Sequence, residues 1–306
     1  MSDLVIHVGY HKTATTWLQW RVFTPDHGYH AVADHKELFA HVVRPLGFQF
    51  DAGALWGLLD ARMANTPTGH VPIISSEILS GHPFLGARER EIYAARLQAV
   101  APDARIVITV RNQMAILPSI YMQYLRRGGT MRPAAFFAGT DEPGYFGFEA
   151  AHFEYDQLIG LYQSLFGADR VHVVTQEAMQ KDGQGAMAAL AADVGNTAFT
   201  TLNAKAQGRF IPSYPEYATP FLRRVNYVQR STLNPAPMIR LGNTPGGLDR
   251  IVGGVLRRPP LKGWLAGRKP VSDHVQKTFD GVYDASNQRL AQMLPQPLDL
   301  SGYPGL

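Results

Sequence analysis

Leu4-Val5-Ile6-His7-Val8-Gly9-Tyr10-His11-Lys12-Thr13-Ala14-Thr15-Thr16-Trp17-Leu18-Gln19 is the stretch on which the reading of the chain turns. Leu4 to Val8 is a short β-branched apolar run closed by Gly9, the pattern of a buried strand. A helical pattern begins near Thr16. Between the two, one lysine and three threonines crowd a turn. That is the chemistry of an anion cradle: amides at a helix N-terminus point at the anion, the helix dipole favours negative charge, Lys12 adds a point charge, and the hydroxyls add donors. The turn is not a Walker A loop, which needs glycine directly before the lysine, where His11 stands.

Working outward, Val71 to Ser75, Arg105 to Val110 and Arg170 to Thr175 read as three further strands. Helical patterns fill the gaps at 54–64, 88–100, 114–127, 145–167 and 184–194, with a last helix over 272–294. Residues 27–53 read as mixed, with a helix at 36–43. Strands alternating with helices imply an α/β protein of three layers, a central parallel sheet carrying a P-loop-like phosphate-binding loop. Ligands of such sheets sit outside the carboxyl ends of the strands. Residues 9–16, Ser76-Glu77 and Arg111 all fall there.

The chain has 306 residues, 45% hydrophobic and 18% charged, which suits one large α/β domain. With no cysteine it has no disulfide, thiolate nucleophile or cysteine-based zinc site. His27, His30 and His35 lie in a turn-rich region without a carboxylate at helical spacing, so they read as a surface cluster and no metal is expected. No secretory leader pattern and no apolar run near the ~20 residues of a membrane helix is visible, so the expectation is a cytoplasmic protein without a membrane span. Net charge is +4, but Lys205 to Lys269 holds twelve basic residues against Glu216 and Asp249, a balance of +10 that leaves −6 for the rest. Such a stretch attracts anions, and residues 200–270 read as a basic cap within a single domain that closes over a bound anion.

A second polar constellation runs through Arg111-Asn112, Ser119, Arg126 and Gly128. An arginine at a strand end with a serine inside the next helix can hold a second phosphate, the arginine–phosphate pair being bidentate.

Taken together, these stretches resemble the sulfotransferase family that uses 3′-phosphoadenosine 5′-phosphosulfate (PAPS). Lys12-Thr13-Ala14-Thr15-Thr16 is similar to its Lys-Thr-Gly-Thr-Thr turn, with Ala14 in place of glycine. Arg111-Asn112 and Ser119 are similar to its 3′-phosphate motif, with Gln113 in place of proline. Val173 to Met179 resembles a strand and turn of the family, with Gln176 in place of tyrosine. The resemblance implies that His11, Lys12, Thr13, Ala14, Thr15 and Thr16 hold the 5′-phosphate side of PAPS and of its product PAP. It implies that Arg111 and Ser119 hold the 3′-phosphate, that Lys12 assists the leaving group and that Glu77 is the general base, with His82 and His11 as rivals. The implied partner is an acceptor hydroxyl, first of a saccharide, then of a small lipid or phenolic alcohol. An ATP–Mg²⁺ kinase and a nucleotide- or nucleic-acid-binding module are the competing readings. Arg111, where Mg²⁺-dependent phosphoryl transfer usually has a carboxylate, disfavours the first, and the base at Glu77 the second.

Overall fold

The computed structural model describes residues 4–140, 142–208, 215–256, 258, 265, 267–295 and 298–306. Five strands form one sheet: β1 (Val5–Gly9), β2 (Tyr29–Ala33), β3 (Val71–Ser75), β4 (Arg105–Val110) and β5 (Val171–Thr175). Their order is β2-β3-β1-β4-β5, and every pair is parallel.

Alternation along the strands sends side chains to two cores, as a parallel sheet covered on both faces requires. Ile6, Val8, Ile74, Ile106 and Ile108 face one core. There they meet Leu55 and Leu59 of α2 (Ala52–Met63), Ala94 and Leu97 of α3 (Arg90–Val100), and Leu158, Ile159 and Tyr162 of α5 (Tyr155–Phe166). Between α3 and α5 in sequence comes α4 (Gln113–Arg126), capped by the Asn112 side chain on the Met114 N–H (2.9 Å). Val5, Val71, Ile73 and Val107 face the second core, against Leu18 and Val22 after α1 (Thr15–Trp17), and Met187 and Leu190 of α6 (Gly183–Asp193).

Four differences from the sequence reading have physical causes. β2 was not expected, because in the edge strand Tyr29-His30-Ala31-Val32-Ala33 burial does not alternate: Tyr29, Val32 and Ala33 are buried, and the register shifts between Ala31 and Ala33. The expected helix at 145–167 is confined to Tyr155–Phe166, closed by Gly167, whose φ is +94°. The expected last helix is two, α9 (Pro270–Thr278) and α10 (Asp284–Met293), separated at Gly281, whose φ is +70°. Among the described residues, 200–270 contains two amphipathic helices, α7 (Thr219–Tyr227), where the sequence suggests a helix over 221–229, and α8 (Leu248–Leu256), which the sequence does not suggest. The closing cap expected there includes residues 209–214, 257, 259–264 and 266, which lie outside the described residues. Among the described residues no three metal-ligating side chains gather, and no helix is long and apolar enough to cross a membrane.

Candidate active site at the strand carboxyl ends

The loop after β1 is built on a close approach. A Cβ at Gly9 would lie 2.5 Å from the Thr15 methyl, 2.6 Å from Thr109 Oγ1 and 2.9 Å from His7 Nε2, so only glycine fits. Lys12 (φ +70°) and Ala14 (φ +66°) both adopt left-handed backbone. Ala14 therefore stands in the strained setting that glycine would relieve, at roughly 1–2 kcal/mol. The helix begins only when the Trp17 N–H reaches the Ala14 carbonyl (2.9 Å). The amides of residues 11–16 donate to no carbonyl among the described residues. Alternating backbone of this kind gathers amides into an anion-binding concavity.

The Thr13 hydroxyl is turned inward and buried, donating to the Tyr10 carbonyl (2.6 Å). Its only proton being committed there, it accepts from Thr109, whose hydroxyl lies 2.7 Å away. Thr109 in turn accepts from His7 Nε2 (3.2 Å), so His7 Nδ1 is the acceptor for the Ser75 hydroxyl (2.7 Å). One proton order thus runs from β3 through β1 and β4 into the phosphate loop. Burial pushes the His7 imidazole down to about 4 against the pull of Glu77, consistent with the neutral form this order needs. His7 was missed in the sequence, where the only signal was a lone polar residue inside Val5-Ile6-His7-Val8. Thr15 is buried with its methyl against Gly9, and Thr16 is exposed.

Lys12 is crowded by like charge. Burial, then the guanidinium groups of Arg126 and Arg111, push its ammonium down to about 8 against the pull of Glu77. Arg111, at the end of β4, donates to the Lys12 carbonyl (3.3 Å) and to Ser119 Oγ (3.0 Å). Ser119, nearly two turns inside α4, passes its own proton to the Ala115 carbonyl (3.1 Å). The strand end is fixed from behind: Tyr155 donates to the Arg111 carbonyl (2.5 Å), and the Asn112 N–H donates to Glu177 (3.1 Å), which also accepts from Tyr303 (2.9 Å). Arg111 and Ser119 open onto a cleft of about 470 Å³, whose far wall includes Tyr217, Arg268 and Lys269. The sequence signalled the last two only as part of the basic stretch.

Glu77 follows β3 directly and accepts from the Gln19 amide (3.2 Å), which also reaches the Ser75 carbonyl (3.3 Å). Burial alone would raise the Glu77 carboxyl. The charge available on His11, its own backbone N–H, His35 and Gln19 outweigh burial and hold it below the usual carboxylate value. His11 is itself pushed down to about 4, chiefly by burial, so at neutral pH the pair is carboxylate and neutral imidazole. The buried Nε2 of His11 has no partner among the described residues. His82 packs 5.8 Å from the His11 ring, and its Nδ1 accepts from the Phe84 N–H (3.3 Å), which leaves the proton on Nε2. A neutral His82 in that tautomer offers a donor, not a base, on its free side.

This arrangement has known counterparts at the level of the fold. A sulfotransferase from Alicyclobacillus acidocaldarius overlays with a TM-score of 0.51 at 20% identity, covering 73% of this chain and 92% of that one. Mouse sulfotransferase SULT7A1, solved with PAP, gives 0.39 at 13% identity over 94% of this chain and 88% of that one. A sulfotransferase domain from the curacin biosynthetic pathway gives 0.40 at 14% over 96% and 99%. No family model and no curated protein matches the sequence. The chain has the sulfotransferase fold.

Proposed function

We propose that this chain is a PAPS-dependent sulfotransferase acting on an acceptor hydroxyl. One observation carries the reading: Lys12, Arg111 and Arg126 are close enough for the two arginines to depress the lysine, around a loop of uncommitted amides. Cations gathered at such a cost fit a ligand with separated phosphates, and the orphaned His11 Nε2 fits a bound oxygen. PAPS would supply the sulfuryl group and leave as PAP. Lys12 and the amides of residues 12–16 would hold the 5′-phosphate and take up the charge of the leaving oxygen. Arg111 and Ser119 would hold the 3′-phosphate, with Arg268 and Lys269 on the opposite wall of the same cleft. The Thr13 hydroxyl shapes the loop instead of facing the ligand. Glu77, ionised and oriented by Gln19, accepts the proton of the acceptor hydroxyl from the neighbouring strand end.

The acceptor is proposed as a saccharide hydroxyl, with a small lipid or phenolic alcohol next, and the setting as a single cytoplasmic domain. Calorimetry tests the cofactor: PAP binds without metal, and ATP–Mg²⁺, which lacks a 3′-phosphate, binds far more weakly. Equal affinities overturn the proposal in favour of a kinase.

A further inference from the structure

Residues 219–251 build a surface that neither the sheet nor the nucleotide cleft uses. Helices α7 and α8 pack together, and the segment joining them is pinned at its root. The Leu241 N–H donates to the Val228 carbonyl (2.7 Å), the Arg230 N–H to Gly242 (2.9 Å) and the Thr244 N–H to Arg230 (2.8 Å). Ser231 and Asn234 close a turn through paired bonds of 2.9 Å. The Leu233 N–H reaches the Arg127 carbonyl behind α4 (3.3 Å), and the Asn234 amide reaches the Asn226 carbonyl of α7 (3.0 Å).

Beyond that root stands Pro235-Ala236-Pro237-Met238-Ile239-Arg240-Leu241. Met238 is fully exposed, Ile239 is 61% exposed and Leu241 58%. Pro235 and Pro237 fix their own φ, so the apolar tip is held out with little freedom to lose on contact. Arg230 and Arg240 flank this tip, and Arg224 and Arg250 stand exposed on the two helices it joins. The only carboxylate in residues 219–251 is Asp249, which is buried and accepts the Gly246 and Gly247 N–H groups (3.2 and 2.9 Å).

Aliphatic side chains held in water beside guanidinium groups mark a contact surface. Nucleic acid is disfavoured as the partner, because Met238, Ile239 and Leu241 at the tip offer no ring on which bases stack, and the exposed rings of this surface, Phe221 and Tyr227, belong to α7 and not to the tip. An apolar tip with a basic surround is the chemistry of interfacial membrane contact, arginine meeting lipid phosphate while aliphatic groups enter the headgroup–acyl boundary. We propose that residues 224–250 dock this protein peripherally on an anionic phospholipid bilayer, Met238, Ile239 and Leu241 entering the boundary and Arg224, Arg230, Arg240 and Arg250 meeting the phosphates. The inference stands on this surface alone and holds whatever the nucleotide proves to be.

Co-sedimentation of the full chain with vesicles tests it, using phosphatidylcholine alone or mixed with phosphatidylglycerol, at low and high salt. Binding appears with the anionic vesicles, weakens with salt and is absent from phosphatidylcholine. Arg230→Ala with Arg240→Ala lowers the partition coefficient roughly 25-fold, about fivefold for each arginine at an anionic surface. Met238→Asp with Ile239→Asp lowers it on the order of tenfold or more at unchanged salt. Both variants keep the parent melting temperature, since the altered side chains are exposed. Equal binding to both vesicle types, binding to neither, or binding unaffected by both variants overturns the proposal. Tight binding of single-stranded RNA or heparin without vesicle binding also overturns it, and assigns the surface to an acidic polymer.

Discussion

In the proposed reaction Glu77 takes the acceptor proton, and its neighbours keep its carboxyl below the usual carboxylate value. Glu77→Gln keeps the shape and the Gln19 contact but removes the basicity, so turnover falls roughly 10²–10⁴-fold while PAP affinity stays within about twofold. Steady-state kinetics on the true acceptor, with calorimetry for PAP, separates the two. Full activity in this variant, with loss in His11→Ala, would move the base to His11. The Glu77 carboxyl lies below its ordinary value in the fold, so its contribution to stability is present above the ordinary carboxylate pKa and is lost as pH falls through the lower folded value. Lys12 gives the opposite limb. Its ammonium sits at about 8 without ligand, and an anion beside it raises that value. Between about 8 and the raised value, PAP binding takes up a proton, and affinity declines as pH climbs past about 8. Calorimetry at pH above 8 in two buffers of different ionisation enthalpy reads that uptake; its absence removes Lys12 from the anion site.

The phosphate loop makes its own demands as an element. Gly9→Ala forces a methyl into Thr15, Thr109 and His7, which pushes the loop off its root. The expected loss is about 1–3 kcal/mol of stability together with PAP binding. Ala14→Gly relieves left-handed backbone and raises stability by about 1 kcal/mol with PAP binding retained, read from denaturant midpoints. A lower midpoint for Ala14→Gly would deny the strain. Lys12, Glu77 and Arg111 were legible because each follows a strand whose apolar run marks its end. Ala14 was not: sequence left open whether it began the helix or preceded it, and only its φ decides. His7 was invisible because its role depends on Ser75 and Thr109, 68 and 102 residues away. β2 escaped because a register shift between Ala31 and Ala33 breaks its alternation, and the Gly281 break because helical period continues across it in α9 and α10.

Across the whole molecule, one end of the basic stretch lines the candidate 3′-phosphate cleft and the other packs on the helical segment that follows the phosphate loop. Arg268 and Lys269 line the cleft of Arg111 and Ser119. At the other end, Arg21 donates to the Lys205 carbonyl (3.2 Å) and the Trp17 indole to the Ala206 carbonyl (2.8 Å). Sequence registered this region only as a run of charge, because pairing between residues 17 and 206 leaves no local pattern. The Trp17 contact has an optical consequence. Of the four tryptophans, Trp264 lies outside the described residues, Trp20 and Trp56 are exposed, so soluble quenchers reach them, and Trp17 is half-buried directly after the anion loop. Its excited-state dipole samples the field of Lys12 and whatever lies against it. Titration with PAP therefore shifts the quencher-resistant part of the emission, and Trp17→Phe abolishes that shift while Trp20→Phe leaves it. An unchanged shift in Trp17→Phe would locate the responding fluorophore elsewhere. With PAP bound as proposed, the protein would carry, without any attached dye, a luminescent gauge of its own occupancy.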